Sequence, residues 1–266
     1  RARWVLINKT TVNKIETSGF NPYSHKISSL NHHLDTIKST IKSTINNEKI
    51  SKITYYGSGI NNIEMTDIVK KSIDSHFPDV EIDVFSDLLG SCRALCNKKN
   101  GIVSILGTGS NSCYYDGDNI NMQINSLGYL LGDEGSGYAL GRSFLKKYLR
   151  GEFNEQISKS FEDEYELRKE NFKIVYEKNS HRWLSRISEF IYKNKEDKLV
   201  KDLITDHFNY YFSEIISKYN SKNLYLSGSI AYFFERFIKD VSNKYKINVI
   251  KVIRDPINHL VKFHVK

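Results

Sequence analysis

Apolar residues recur at spacings of three and four through Ile27, Leu30, Leu34, Ile37, Ile41 and Ile45, which predicts an amphipathic helix. Upstream, RWVLINKTTVNKIETSG reads as two β-prone runs, Trp4 to Ile7 and Val12 to Thr17, joined by a turn near Asn8-Lys9. Downstream, KITYYGSG is a short strand of β-branched and aromatic residues that ends on glycines. Met65 to Phe77 is a second helix stopped by Pro78. EIDVFSD follows as a strand, and Leu88 to Cys96 as a helix.

The pattern restarts at Gly101. GIVSIL is a strand, and a glycine corner follows it. A hairpin then turns through Asp116-Gly117 into Asn119 to Ile124. Helical spacing dominates from Ser136 to Tyr219, with KSFEDEYELRKENFKIVYEKN as a charged, solvent-facing stretch. NLYLSGSIA is another strand running into glycine, followed by a helix from Tyr232 to Tyr245, a last strand INVIKVI and a short helix after Pro256. Each half thus offers a hairpin beside strand–helix units. This predicts an α/β protein with mixed sheets and two similar halves, divided between Asn97 and Gly101, as domains 1–98 and 99–266.

Composition narrows the picture. A chain of 266 residues with 39% hydrophobic and 12% aromatic content can bury a real core and is not disordered. The formal net charge of +8 is spread among Asn, Ile and Ser without a basic run, so nucleic acid is not an expected partner. No stretch has membrane-spanning length and no signal peptide is visible, so neither a membrane nor export is expected. Cys92, Cys96 and Cys113 fit a reducing, cytoplasmic setting better than a disulfide framework. Cys92 and Cys96 fall on one helix face, where small apolar filler is the simpler reading. No second pair completes a tetrahedral metal site, and no metal ligands are expected.

The candidate chemistry sits where predicted strands end in glycine or carboxylate, the ligand-binding edge of α/β sheets. FSDLLG carries Asp87, ILGTGSNS carries Gly107 to Ser112, and LSGSIA carries Gly228 and Ser229. SLGYLLGDEGSGYALG packs Asp133 and Glu134 among four glycines ahead of a helix. Glycine lets backbone approach a ligand, and consecutive free N–H groups form an anion nest. A Walker-type GxxxxGK[ST] loop is absent, and the GxG at 107 to 109 lacks a dinucleotide fingerprint's third glycine. Each stretch has a plain alternative. Asp87 can cap a helix, Gly228-Ser229 can be an ordinary turn, and Asp133-Glu134 can favour a helix N-terminus.

Taken together and in this order, FSDLLGSCRALC, ILGTGSNSCYYDG and SLGYLLGDEGSGYALG resemble the N-acetylglucosamine kinase and BadF/BadG-type ATPase family, over nearly the whole chain. The resemblance implies two ribonuclease H-like domains of the actin, hexokinase and Hsp70 type, with a nucleotide and sugar cleft between them. The last helix is then expected to pack back on the N-terminal domain. It implies that Gly107, Thr108, Gly109 and Ser110 face the β- and γ-phosphates of ATP. Gly228, Ser229 and Ala231 match the family's adenosine motif. Asp87 matches its catalytic base, which also touches the sugar, and Asp133 and Asn21 match sugar-binding residues.

Ser126 and Gly128 also fall at sugar-contact positions, although Ser126-Leu127-Gly128-Tyr129 departs from the Gly-Trp-Gly-His of animal members. The implied function is ATP- and magnesium-dependent phosphorylation of an amino sugar, N-acetylglucosamine or N-acetylmuramic acid, by a protein that could be a homodimer. The alternatives are a BadF-type activator of a partner reductase or dehydratase with an iron–sulfur cluster, or a binding relative without turnover. The family's first phosphate loop, a DGGGTKT-like turn on a first strand, has no counterpart ahead of Arg1-Ala2-Arg3-Trp4. A chain as written is therefore expected to bind ATP poorly and turn over little.

Overall fold

The structure is a computed structural model that describes residues 2–7, 12–44, 49–167, 172–177 and 180–265. The expected turn at Asn8-Lys9, the end of the first helical stripe at Ile45, and parts of the charged stretch at 168–171 and 178–179 lie outside the described residues. The fold is mixed α/β, and the chain divides into two compact units, 1–94 with 257–266, and 95–256.

In the first unit, β1 (Ala2–Ile7) pairs antiparallel with β2 (Val12–Thr17), setting Trp4 against Ile15. β3 (Lys52–Gly57) pairs parallel with β4 (Glu81–Ser86) in a separate two-stranded sheet. The single mixed sheet expected in each half is thus two short sheets here. Helices α1 (Ile27–Thr44), α2 (Ile63–His76) and α3 (Asp87–Cys96) complete the strand–helix alternation. Leu30, Leu34 and Ile37 bury the stripe of α1 with Val69 and Ile73 of α2, and Trp4 and Ile15 pack on the same core. α2 begins at Asn62, whose side chain accepts from Met65 N–H, and ends before Pro78. The chain returns to this unit as α11 (Ile257–His264), where the Tyr56 hydroxyl and His264 Nε2 lie 2.9 Å apart.

The second unit is built on one five-stranded sheet in the order β7-β6-β5-β8-β9. Central β5 (Gly101–Leu106) pairs antiparallel with β6 (Ser110–Tyr115) and parallel with β8 (Asn223–Ser227); β7 (Ile120–Ile124) and β9 (Asn248–Ile253) are the edges. The β6–β7 connection is longer than a two-residue Asp-Gly turn. Only Gly117 takes a positive φ, while Asp116 Oδ1 accepts from the N–H groups of Asp118 and Asn119.

Between β7 and β8 run α4 (Gly128–Leu131), α5 (Gly137–Leu149), α6 (Glu155–Tyr165), a 3₁₀ turn (Phe172–Tyr176), α7 (Ser180–Lys193), α8 (Lys198–Glu214) and a second 3₁₀ turn (Ile216–Lys218). Their apolar faces pack into one core with the sheet, rich in Phe144, Phe161, Phe190 and Phe208. The helix expected from Tyr232 to Tyr245 is two, α9 (Ser229–Phe233) and α10 (Glu235–Lys244). The break falls at Phe234, whose buried ring packs edge-on against Tyr192 and near Phe208. Holding that ring in the core outweighs one more helical hydrogen bond.

Candidate functional site

Strand β5 ends at Leu106 and the chain folds into the corner 107–109 before β6 begins. Gly107 N–H donates to the Gly109 carbonyl at 2.9 Å, so the corner is a closed turn and not a loose loop. Its other carbonyls face the start of α5: Gly137 N–H donates to Gly107 O at 2.8 Å and Tyr138 N–H to Thr108 O at 3.1 Å. A Cβ built on Gly107 would meet only the Gly109 carbonyl, at 3.9 Å, so space is open above that residue.

Gly109 is closed on its side, because a Cβ there would come to 2.9 Å from Asp133 Oδ2. Ser110 N–H donates to Asp133 Oδ1 at 3.1 Å. One of the corner's donors is therefore already held by a carboxylate of the same chain.

Asp133 sits in the left-handed region at φ 57°, a conformation that Asp tolerates better than most residues. Its N–H donates to Ser126 O at 2.9 Å, and its own carbonyl accepts from Ser136 N–H at 3.1 Å. Burial raises its carboxyl above the usual carboxylate range, the Ser110 N–H opposes that shift, and nearby Glu134 adds to it. Ser126 and Gly128 lie in the same closed segment, where Gly132 N–H donates to Gly128 O at 2.8 Å. The sequence pattern did not separate α4 from its flanking loop. Its start is a tight bend with Leu127 at φ 58°, and Tyr129 stacks on His181 at 4.9 Å. The helix that follows Asp133-Glu134 is capped by Ser136, whose hydroxyl accepts from Ala139 N–H.

Gly228 brings the LSGSIA stretch to the same sheet edge. It follows β8, its φ is 109°, and a Cβ there would overlap the Leu106 carbonyl oxygen at the end of β5. Glycine is demanded at this position by backbone against backbone, whatever lies above. Ser229 starts α9, and Ala231 is buried beneath it. The corner, Asp133, Gly228 and Ser229 thus meet at the carboxyl ends of β5 and β8.

Asp87 and Asn21 belong to the first unit. Asp87 opens α3, where the preceding Ser86 Oγ accepts from Leu89 N–H at 3.2 Å. Burial raises the Asp87 carboxyl above its ordinary value, against the pull of hydrogen bonds from Leu88 N–H and the Ser58 hydroxyl. Burial and then the charge of Asp87 push the Tyr55 phenol up to about 12. Asn21 Oδ1 accepts from Tyr23 N–H at 3.0 Å, and its side chain lies directly over Gly59, which has φ +79°. Ser58 and Gly59 therefore link Asn21 to Asp87. The sequence pattern marks KITYYGSG as a strand ending on glycines and gives Ser58 and Gly59 no role.

Cys92, Cys96 and Cys113 are buried, and burial raises the Cys96 thiol to about 12. No group of three or more His, Cys, Asp or Glu poised for a metal occurs among the described residues. No described helix is long and apolar enough to cross a membrane.

This is a mixed α/β protein that gathers glycine corners and a buried carboxylate at one edge of its larger sheet. No protein-family model matches the chain, and no curated protein does. Among solved structures, a Porphyromonas gingivalis protein described as a proposed N-acetylglucosamine kinase matches with a TM-score of 0.90 at 30% identity, covering 98% of this chain and 94% of that one. A Chromobacterium violaceum protein of the same description matches with a TM-score of 0.67 at 16% identity, over 89% and 85% of the two chains, and shares the fold. The chain belongs to the N-acetylglucosamine kinase and BadF-type ATPase family.

Proposed function

We propose that this protein is an ATP-dependent kinase of an amino sugar, N-acetylglucosamine or N-acetylmuramic acid, built from two ribonuclease H-like units. The observation that carries the reading is the convergence of Gly107 to Ser110, Asp133 and Gly228 at one sheet edge, in a chain with a full-length kinase-like neighbour. ATP would bring the phosphoryl group, and magnesium would accompany the phosphates and keep its waters, since no carboxylate cage awaits it among the described residues.

The residues divide the work. The open face above Gly107, the N–H groups of Thr108 and Gly109 and the hydroxyls of Thr108 and Ser110 would hold phosphate oxygens. Gly228, Ser229 and Ala231 would lie under the nucleoside. In the first unit, Asn21 would orient the sugar through its amide nitrogen, because its carbonyl oxygen is engaged by Tyr23. Asp87 would accept the proton of the attacking sugar hydroxyl. Its raised carboxyl makes it a stronger base than an ordinary aspartate once ionised. Asp133, with Ser126 and Gly128, would bind sugar hydroxyls. The activator reading is not favoured, because all three cysteines are buried.

The test is the full-length gene product with MgATP and a panel of N-acetylated and plain hexoses, reading ADP release and the phosphorylated sugar. Turnover that needs an N-acetylated sugar supports the reading. ATP hydrolysis that no sugar stimulates overturns it.

A further inference from the structure

Helix α8 lies behind the Asp133 loop and touches it with two side chains one turn apart. The ring of Gly135's neighbour Tyr211 is the floor of the loop: a Cβ on Gly135, at φ +79°, would stand 2.7 Å from Tyr211 Cγ and Cδ2. Tyr211 is buried, and its hydroxyl is hydrogen-bonded to the buried Ser104 hydroxyl on β5, two residues before the strand ends. One turn earlier, the His207 ring lies against the backbone of Gly135. His207 Nε2 is enclosed and has no hydrogen-bond partner. A buried polar atom left without a partner costs roughly 1–3 kcal/mol, which a plain core residue would not incur. Burial holds the ring neutral at neutral pH, with its pKa lowered to about 4.

These contacts form a chain of fixed distances within one unit. Tyr211 ties α8 to β5 through Ser104, and His207 and the Tyr211 ring pin Gly135. Ser136 N–H holds the Asp133 carbonyl, and Asp133 Oδ1 holds Ser110 N–H in the phosphate corner. We propose that His207 and Tyr211 are positioning residues that set the Asp133 carboxylate against the Gly107–Ser110 corner, so that sugar affinity depends on a helix that touches neither substrate. The functional half of this statement rests on the kinase reading, but the geometric half does not.

The variants are His207→Phe, which keeps a ring and removes its nitrogens, and His207→Gln, which restores a polar end group. Tyr211→Phe keeps the floor and cuts the tie to Ser104. In sugar-kinase assays His207→Phe raises the sugar KM about tenfold, with kcat and the KM for ATP within about twofold, and His207→Gln recovers part of the loss. Tyr211→Phe shifts the sugar KM in the same direction by a smaller factor. An unchanged sugar KM in His207→Phe overturns the proposal. So does a parallel fall of kcat, both KM values and thermal stability without recovery in His207→Gln.

A second readout needs no substrate. Hydrogen exchange at Ser110 N–H in the free protein is about tenfold faster in His207→Phe, at unchanged exchange in the middle of β5. Equal Ser110 exchange in the two proteins sinks the positioning claim even if the enzyme is active. A wild-type protein that phosphorylates no sugar sinks the kinase reading, and the exchange result then decides the geometry alone.

Discussion

The two units use the same parts, a hairpin and a parallel strand pair, but join them differently. In the second unit β5 lies between hairpin β6–β7 and pair β8–β9, and every junction is a hydrogen-bonded ladder. In the first, hairpin β1–β2 and pair β3–β4 form separate sheets. Side chains connect them there: the Trp4 and Tyr55 rings lie 5.6 Å apart, and both join the core of α1 and α2. The lesson concerns how each half places its polar groups. The second unit sets backbone groups, corner N–H against carboxylate and Gly228 against Leu106, because a ladder fixes the main chain. The first sets side chains, Asn21 over Gly59 and Asp87 beside Ser58, because packing and caps are what it has.

The largest expected effect lies in the first unit. Asp87→Asn lowers turnover about a hundredfold or more while sugar binding stays nearly intact, as steady-state kinetics and calorimetry will read. The same variant carries a stability signature. A carboxyl whose folded pKa is raised lends stability below its unfolded pKa and loses it as pH rises through the folded value. Asp87→Asn is therefore more stable than the parent at neutral pH, and the difference shrinks in acid. Wild-type activity falls on the acid side at a higher pH than an ordinary aspartate predicts. A turnover loss of only a few-fold reduces Asp87 to a helix-end residue.

Next comes the backbone contact of the second unit. Gly228→Ala forces a Cβ against the Leu106 carbonyl at a positive φ, and costs about 3 kcal/mol in denaturant unfolding. If it is tolerated within about 0.5 kcal/mol, the sheet edge is softer than its ladder suggests.

Asp133→Asn keeps a residue that accepts φ 57° and removes the charge. It weakens sugar binding about tenfold with ATP binding little changed. The reverse pattern in titration calorimetry reassigns Asp133 to the phosphate side, where its bond to Ser110 already leads.

The smallest effect separates the units themselves. Trp4→Ala removes a half-buried ring and costs about 1–2 kcal/mol. The loss shows as faster amide exchange in β1 to β4, with β5 unchanged. Equal acceleration in both units means that they unfold as one.

Much of this was legible in the sequence. The 3.6-residue stripe of α1, the β-prone runs of the described strands and the glycines that end several of them are local signals, and they held because local propensity and burial agree. The glycine and carboxylate stretches were likewise visible by residue type, since only glycine fits a positive φ or a close carbonyl. Tertiary contacts decided the rest. Phe234 broke a helix because its ring has a place in the core. The first unit's strands split into two sheets because pairing is a non-local choice that periodicity does not encode. Ser58, Gly59, His207 and Tyr211 carry no motif, and their roles exist only where folding brings them against Asp87, Asn21 and Gly135. That Asp133 answers the Ser110 N–H, 23 residues away, is a fact of geometry that composition and spacing cannot contain.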